Sequence, residues 1–435
     1  MKVTYILSVL AATGLGAFAA TDGSFDILAM NVAGLPAIFN GNDVPGDKAT
    51  NARTIGSKFS QYAYDIIHDF NYHAYIYETD NHPYRTPTSG GAAIGSGLNT
   101  LSNFNWINFS RVKWDDCSNA SGADCLTPKG FTFMRLSIDD GAWIDIYNLH
   151  TDAGTETADL AARNSNLRQV ASYIDTWSVG NAVLVFGDTN SRYTRTSDQI
   201  SIFSTQNGMA DPWVQLVRGG VTPTQETICE NPSTTDYCET VDKVFYRGSP
   251  IVTLSATSFN YDSTKFLQAD GNILSDHNPI HVEFNWSLSN RFRQSNYWGG
   301  PHGNWFTDLP TLSSKSGSIK TSVITFRGAS RLDSVGLTLT DGTKFVHGGT
   351  GGSETSLKLG QNEYWTSAVL CQGQKDGRTR NFYIQATTSA GNKVSAGSLT
   401  SDCNTFQAPA GWQIVGYMGQ DGDEIDQLAF IYAPQ

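Results

Sequence analysis

Leu274-Ser275-Asp276-His277-Asn278-Pro279-Ile280 runs directly into His281-Val282-Glu283-Phe284, and this junction decides how the larger part of the chain is read. The second segment alternates as a strand does. Neighbouring side chains on a strand point to opposite faces, so the adjacent Asp276 and His277 at its start are placed to serve different partners around one pocket. An Asp-His step before Asn-Pro also has an ordinary reading as a polar turn. The segments upstream decide between the two.

Several short apolar runs end on a polar residue. Phe25 to Asn31, Tyr75 to Glu78, Gly91 to Ile94, Phe131 to Leu136, Ala142 to His150, Val183 to Asp188 and Val241 to Tyr246 read as strands. Ala49 to Phe70 has helical spacing, with Ile55, Phe59, Tyr62, Ile66 and Ile67 on one side, and Leu160 to Trp177 reads as a second helix. Strands that finish in Asn, Glu, His and Asp, with helices between them, predict a mixed α/β sheet sandwich with a site at one rim.

The bulk properties narrow the class. A chain of 435 residues is too long for one ordinary core and predicts two domains. Its net charge of -12 offers no cationic face for a phosphate backbone, which disfavours nucleic acid as a partner. Met1-Lys2, an apolar run to Gly16 and Ala17-Phe18-Ala19 have the order of a signal peptide, so residues 1–19 are expected to be removed and the protein secreted. Export favours paired cysteines. Cys117 with Cys125, Cys229 with Cys238 and Cys371 with Cys403 follow from proximity in sequence. Asn108, Asn119 and Asn285 each open a glycosylation sequon.

Asn31, Glu78, His150, Asp188, Asn190, Asp242, Asp276 and His277 all fall at or just past the end of an expected strand. Singly, each reads as a cap or turn residue. Together they supply what metal-assisted phosphate-ester hydrolysis needs. Glu78, with Asn31 and Asp276, offers oxygen ligands to a hard divalent cation such as Mg2+. His277 is the candidate base for the attacking water, and a buried Asp242 would fix its tautomer. His150 and Asn190 would hold phosphoryl oxygens, with His150 a candidate acid for the leaving group, and Asp188 completes the set. A metal would lower the cost of charge developing at phosphorus.

Asn31 in Met-Asn-Val, Tyr77-Glu78, Asn148-Leu-His150, Gly187-Asp-Thr-Asn190, Val241-Asp242-Lys-Val-Phe and Ser275-Asp276-His277 resemble the ordered motifs of the endonuclease/exonuclease/phosphatase superfamily. The resemblance runs from about Phe25 to Phe284. It implies a DNase I-like four-layer α/β sandwich and the catalytic and metal roles given above. Within the superfamily, Gly90-Gly91-Ala-Ala-Ile94 and Cys125-Leu-Thr-Pro-Lys-Gly130-Phe131 resemble segments of secreted neutral sphingomyelinases. Those enzymes carry a membrane-entering aromatic hairpin before the Asp-His step. Here that stretch holds Phe259, Tyr261 and Phe266, candidates for a peripheral membrane contact. Thr79-Asp80 stands where DNase I-type relatives carry an arginine.

Beyond Phe284 the composition shifts to Gly, Ser and Thr with short alternating strands, which predicts a separate all-β domain. The boundaries are a catalytic domain over 20–288, a connector over 289–295 and the all-β domain over 296–435. Gly299 to Asp308, Phe345 to Glu354 and Gly422 to Asp426 resemble motifs of jacalin-related lectins, which implies a three-sheet β-prism. By that resemblance Gly303, Glu424, Ile425 and Asp426 occupy the sugar site. The sequence therefore reads as a secreted Mg2+-dependent phosphodiesterase of sphingomyelinase or phospholipase C type, acting on a phospholipid and carrying a glycan-binding module. An extracellular DNase-like nuclease, a phosphatase of the same fold and a lectin with a non-catalytic front domain are the rival readings.

Overall fold

The computed structural model describes residues 21–33, 44–70, 73–87, 96–122 and 124–435. The expected signal peptide and the Gly91 to Ile94 strand lie outside them. Among the described residues the N-terminal unit holds strands β1 (Asp22–Asn31), β2 (Ile66–Phe70), β3 (Tyr84–Arg85), β4 (Leu98–Ser102), β5 (Trp106–Lys113), β6 (Gly130–Asp139), β7 (Ala142–His150), β8 (Ala182–Asp188), β9 (Asp242–Arg247), β10 (Val252–Tyr261) and β11 (Ile280–Leu288). Its main helices are α1 (Lys48–Tyr62), α2 (His73–Thr79) and α3 (Thr157–Trp177).

One sheet runs in the order β10-β11-β1-β2-β4-β3 and the other β5-β6-β7-β8-β9. The inner faces meet through Ile27, Ile66, Met134, Ile144, Leu184 and Val282, all buried. The outer face of the first sheet packs Leu28, Met30 and Ile67 on Ile55 and Phe59 of α1. The outer face of the second packs Val183 and Val185 on Leu167, Val170 and Ile174 of α3. That is the expected four-layer sandwich. Covered on both faces, β8 is a continuous apolar run, Ala182-Val-Leu-Val-Phe186, rather than an alternating one.

Two local expectations fail here. The long helix over Ala49 to Phe70 is two elements. Asp47 caps α1 by accepting from Thr50 N at 2.8 Å, and Ala63 ends it in the left-handed region at φ 54°. Ile66 and Ile67 then pair in parallel with Ile27 and Leu28; their branched side chains suit a pleated sheet, and their helical spacing is coincidental. Tyr75 to Glu78, expected as a strand, lies in α2. A four-residue alternation cannot separate the two periods.

The C-terminal unit is three sheets. Lys344–Gly348, Leu332–Leu339, Thr321–Gly328 and Ser353–Lys358 form one, and Lys393–Gly397, Arg378–Thr388, Trp365–Lys375 and Asp402–Gln407 form a second. The third joins Arg293–Gln294, Ile425–Pro434, Trp412–Asp421 and Asn304–Thr307. Arg293 and Gln294, assigned to the connector, are thus already paired with Tyr432 and Ile431. All three disulfides, Cys117–Cys125, Cys229–Cys238 and Cys371–Cys403, form as sequence proximity predicts.

The two units share a continuous apolar core. Arg135 of β6, fully buried and bound to Asp145 at 2.9 Å, lies 3.4 Å from the ring centre of Trp305. Asn296 Oδ1 accepts from Gly141 N and Trp143 Nε1 at 3.2 Å each. Asn108 and Gln427 exchange amide hydrogen bonds at 2.9 and 3.0 Å.

Candidate active site

Strand register assembles the site. His150 ends β7 opposite Asp188 of the parallel β8, and Asp188 faces Asp242 across the antiparallel pair β8–β9. Three chemically active residues therefore stand in one row at the rim of one sheet. Gly187 makes the row possible. Its φ of +137° is one that side chains rarely adopt, and a Cβ there would run into the Leu149 carbonyl.

The opposite sheet supplies the rest. Asn31, the last residue of β1, donates from Nδ2 to Asp188 Oδ2 at 3.1 Å. His277 precedes β11, and its Nδ1 meets Asp242 Oδ2 at 2.7 Å. Its Nε2 lies 3.4 Å from Asn31 Nδ2 and 3.8 Å from Asp188 Oδ2. Asn31 Oδ1 is occupied by Ala33 N at 3.0 Å, which points the amide's donor side at His277 Nε2. Asn190, at φ 47°, sends its own N–H to Asp188 Oδ1 at 2.9 Å and its Nδ2 to Thr151 O at 3.3 Å.

These contacts set the charges. Burial works against ionising Asp188, but His150, His277 and the Asn190 amide hold its carboxyl down to about 2. Asp242 is pushed above the usual carboxylate range by burial, partly offset by His277. Burial also opposes charge on His277, yet Asp242, Asp188 and Asp276 together raise it to about 10. The donor side of the Asn31 amide pulls the other way, because it favours a neutral ring with a lone pair on Nε2.

His150 behaves differently from expectation. Burial and the adjacent Lys129 push it well below its ordinary value, and its Nε2 faces Lys129 Nζ at 3.1 Å. Asp188 Oδ2, 3.4 Å from the same nitrogen, favours its charge but does not outweigh burial and Lys129, so His150 is a poorer proton donor than Lys129. Lys129, paired with Asp124 at 2.6 Å, is the cation in that corner. The sequence reading quoted Lys129 within a motif but gave it no role. His68 falls inside the stretch expected as one long helix and was not among the candidate site residues. It sits fully buried on β2 with its ring 6.0 Å from Phe186, and burial pushes it down to about 3.

The proposed metal ligands divide. Glu78 lies on α2, half exposed and bound to Arg53 at 2.6 Å, and is not among the acids the fold gathers. Asp276 is exposed beside His277. Among the described residues, donor atoms of Asp188, Asp242 and His277 lie within 4.8 Å of one another. Asp242 Oδ1 is buried without a hydrogen-bond partner. An orphaned carboxylate oxygen beside a second carboxylate fits a divalent cation. His277 can join only when it has lost its proton.

Among the residues expected to meet a sugar, Gly303 (φ +84°) backs onto Asp426, where a Cβ would fall 2.6 Å from Asp426 Oδ2. Asp426 is bound by Arg380. Glu424 is held by Arg331 Nε at 2.7 Å and Lys375 at 3.2 Å, and the Ile425 side chain is fully buried. Lys375 and Arg380 come from other strands and Arg331 from the bend before Leu332–Leu339, and none carries a local sequence signal.

The sequence model of the Endonuclease/Exonuclease/phosphatase family 2 matches residues 50–283, more than half of the 435. The chain belongs to this family. The model of the jacalin-like lectin domain matches residues 295–431 of this family member. A sphingomyelinase of Mycobacterium tuberculosis is 35% identical over 276 residues, which cover 62% of the chain and 54% of that protein. The chain thus spans about half the length of the curated relatives it matches. Among solved structures, the sphingomyelinase C of Streptomyces griseocarneus is 16% identical with a TM-score of 0.42, covering 62% of this chain and 100% of that one. Malaysian banana lectin is 20% identical with a TM-score of 0.29, covering 33% and 98%.

Proposed function

We propose that the chain is a secreted, magnesium-dependent phosphodiesterase that hydrolyses a sphingomyelin-type phospholipid while its C-terminal unit holds a glycan. The observation that carries the chemistry is the His277–Asp242 contact beside Asp188. Asp242 accepts from Nδ1–H, so the Nε2 lone pair is left on the side of Asp188 and Asn31 and can take the proton of an attacking water. The amides of Asn31 and Asn190 and the Lys129 ammonium are donors for phosphoryl oxygens, and Lys129 is the better placed proton source for the departing oxygen. Water adds to phosphorus, the ester P–O bond breaks and the alcohol leaves protonated.

Asp188 and Asp242, with Asp276 at the rim, would hold the cation. A cation held by them would supply polarisation of the phosphoryl group and would offset the carboxylate field that keeps His277 charged. Oxygen donors favour Mg2+ over softer metals. The lipid substrate is supported by the 35% identity to the mycobacterial sphingomyelinase, and glycan binding by the lectin-domain match. Holding a glycosylated surface would raise the local concentration of lipid substrate.

The test offers purified protein, with Mg2+ or chelator, sphingomyelin vesicles and double-stranded DNA side by side. Metal-dependent phosphocholine release with intact DNA is expected. Nicked DNA with intact lipid would assign the site to a nuclease instead.

A further inference from the structure

The stretch named above as a membrane contact does not reach the surface. Phe259, Tyr261 and Phe266 are 6%, 8% and 2% exposed. The tip of the connection between β10 and β11 is polar, with Asn272 Nδ2 bound to Asp270 at 2.8 Å. The exposed apolar side chains of the catalytic unit lie elsewhere.

Among the described residues Leu216, Val221, Ile228 and Tyr237 fall in the chain that leads into Asp242, with Tyr84 and Leu126 apart from them. Ile228, 52% exposed, precedes the loop closed by Cys229–Cys238, and Tyr237, 57% exposed, is the last residue inside it. That loop is fastened to the catalytic segment. Asn231 Nδ2 donates to Ser275 O at 2.8 Å, Ser233 N to Asn278 Oδ1 at 3.0 Å and Asn278 Nδ2 to Glu230 O at 3.0 Å. Ser275 and Asn278 bracket His277. The loop therefore stands on the rim of the site, held rigid from below, with its apolar side chains turned outward. Tyr237 lies under the Arg218 guanidinium at 3.8 Å, an amphipathic pairing suited to a boundary between water and hydrocarbon.

We propose that this disulfide-closed loop is the surface through which the enzyme meets a zwitterionic phospholipid bilayer, an inference resting on the lipid-phosphodiester reading above. Attachment to the His277 segment selects the occupant, because the loop that carries Tyr237 is bonded to Ser275 and Asn278 on either side of the catalytic histidine. Charge selects the lipid. Between Trp213 and Cys238 one cation, Arg218, stands against Glu226, Glu230 and Asp236, a net of -2 that Arg192, paired with Glu226 at 2.6 Å, reduces to -1. An anionic leaflet would be repelled, whereas a phosphocholine surface presents its cationic end outward. The fastened loop loses little conformational freedom on binding.

Ile228→Glu, Tyr237→Glu and the double variant test this, with Val346→Glu, exposed on the lectin unit, as a control. Sedimentation with phosphatidylcholine–sphingomyelin vesicles reports binding. Turnover is measured on those vesicles and on a water-soluble monomeric phosphocholine ester. The double variant should lose about tenfold or more in vesicle binding and vesicle turnover, keep its melting temperature and hydrolyse the soluble ester as before. Val346→Glu should match the unaltered protein. Undiminished vesicle binding by the double variant would overturn the proposal. So would failure of the unaltered protein to sediment with these vesicles, a preference for phosphatidylserine vesicles, or a lipid-free dimer that the substitutions dissociate. If vesicle binding falls as expected but no form cleaves the soluble ester or the lipid, the surface stands and the phosphodiesterase reading falls.

Discussion

His277 Nδ1 lies 2.7 Å from Asp242 Oδ2, and the two residues reach that contact from different sheets. Asp242 opens β9 of the second sheet, while His277 is delivered by the turn before β11 of the first. The dyad exists only while the sandwich is closed, so catalytic geometry and the central core are one structure. His277→Ala should lower kcat by about 10²–10⁴-fold, and Asp242→Asn should also lower it by leaving the ring's tautomer unfixed. Glycan binding by the C-terminal unit should be unchanged in both. Steady-state kinetics beside a glycan-binding assay decide it; turnover surviving in His277→Ala would remove the assigned base.

Glu78→Gln separates the sequence expectation from the fold. Its carboxylate is engaged by Arg53 in an exposed, solvent-screened pair at 2.6 Å. Calorimetric titration with Mg2+ should show unchanged affinity in Glu78→Gln and clear weakening in Asp242→Asn, whose lost oxygen is the orphaned one. Weakened binding in Glu78→Gln alone would return that residue to the site.

Phe259→Ala tests whether an aromatic of the former hairpin candidate is core. The ring is buried between the sheets and meets Tyr261 edge to face at 5.2 Å. Truncation should cost about 3–5 kcal/mol in denaturant unfolding and leave vesicle sedimentation of the folded fraction intact. Loss of vesicle binding at unchanged stability would contradict its burial.

What could be read in advance follows from the range of the interactions. His150, Asp188 and Asp242 were legible because a buried strand is apolar up to its terminal residue, and the functional residue stands there, closing β7 and β8 and opening β9. Asn31 and His277 were legible for the same reason. Glu78 misled because Tyr75-Ile-Tyr-Glu78 satisfies the strand period as well as the helix period over so few residues. His68 was hidden when Ile66 and Ile67 were counted onto a helix face. Lys129, Arg331 and Arg380 meet His150, Glu424 and Asp426 across separations of 21 to 93 positions, and no local pattern marks those contacts.

The joint between the two units predicts cooperative unfolding. Trp305 covers the buried Arg135–Asp145 pair, and its Nε1 donates to Val179 O at 3.3 Å. Calorimetry should show one main transition for the intact chain. Trp305→Ala should cost about 2 kcal/mol and begin to split that transition, because the guanidinium loses its aromatic cover. Two well separated transitions in the unaltered protein would mean that the shared core does not couple the units.

Glycan affinity should depend on pH through Asp426. Burial raises its carboxyl to about 6, with Arg380 opposing the rise and Glu424 and Asp421 adding to it. Accepting hydrogen bonds from two sugar hydroxyls requires the ionised form. Binding is therefore full above that value and lost as the pH falls through it. Between pH 7 and pH 5 affinity should drop about tenfold, since a carboxyl titrating near 6 passes from mostly ionised to mostly protonated over that interval. Arg380→Gln removes the cation that holds the carboxyl down, so the midpoint should move upward, while Asp426→Asn should bind weakly at every pH. Titration calorimetry from pH 5 to 8, with a glycan chosen from an array, measures all three. A flat profile in the unaltered protein would show that Asp426, locked by Arg380, does not read the sugar.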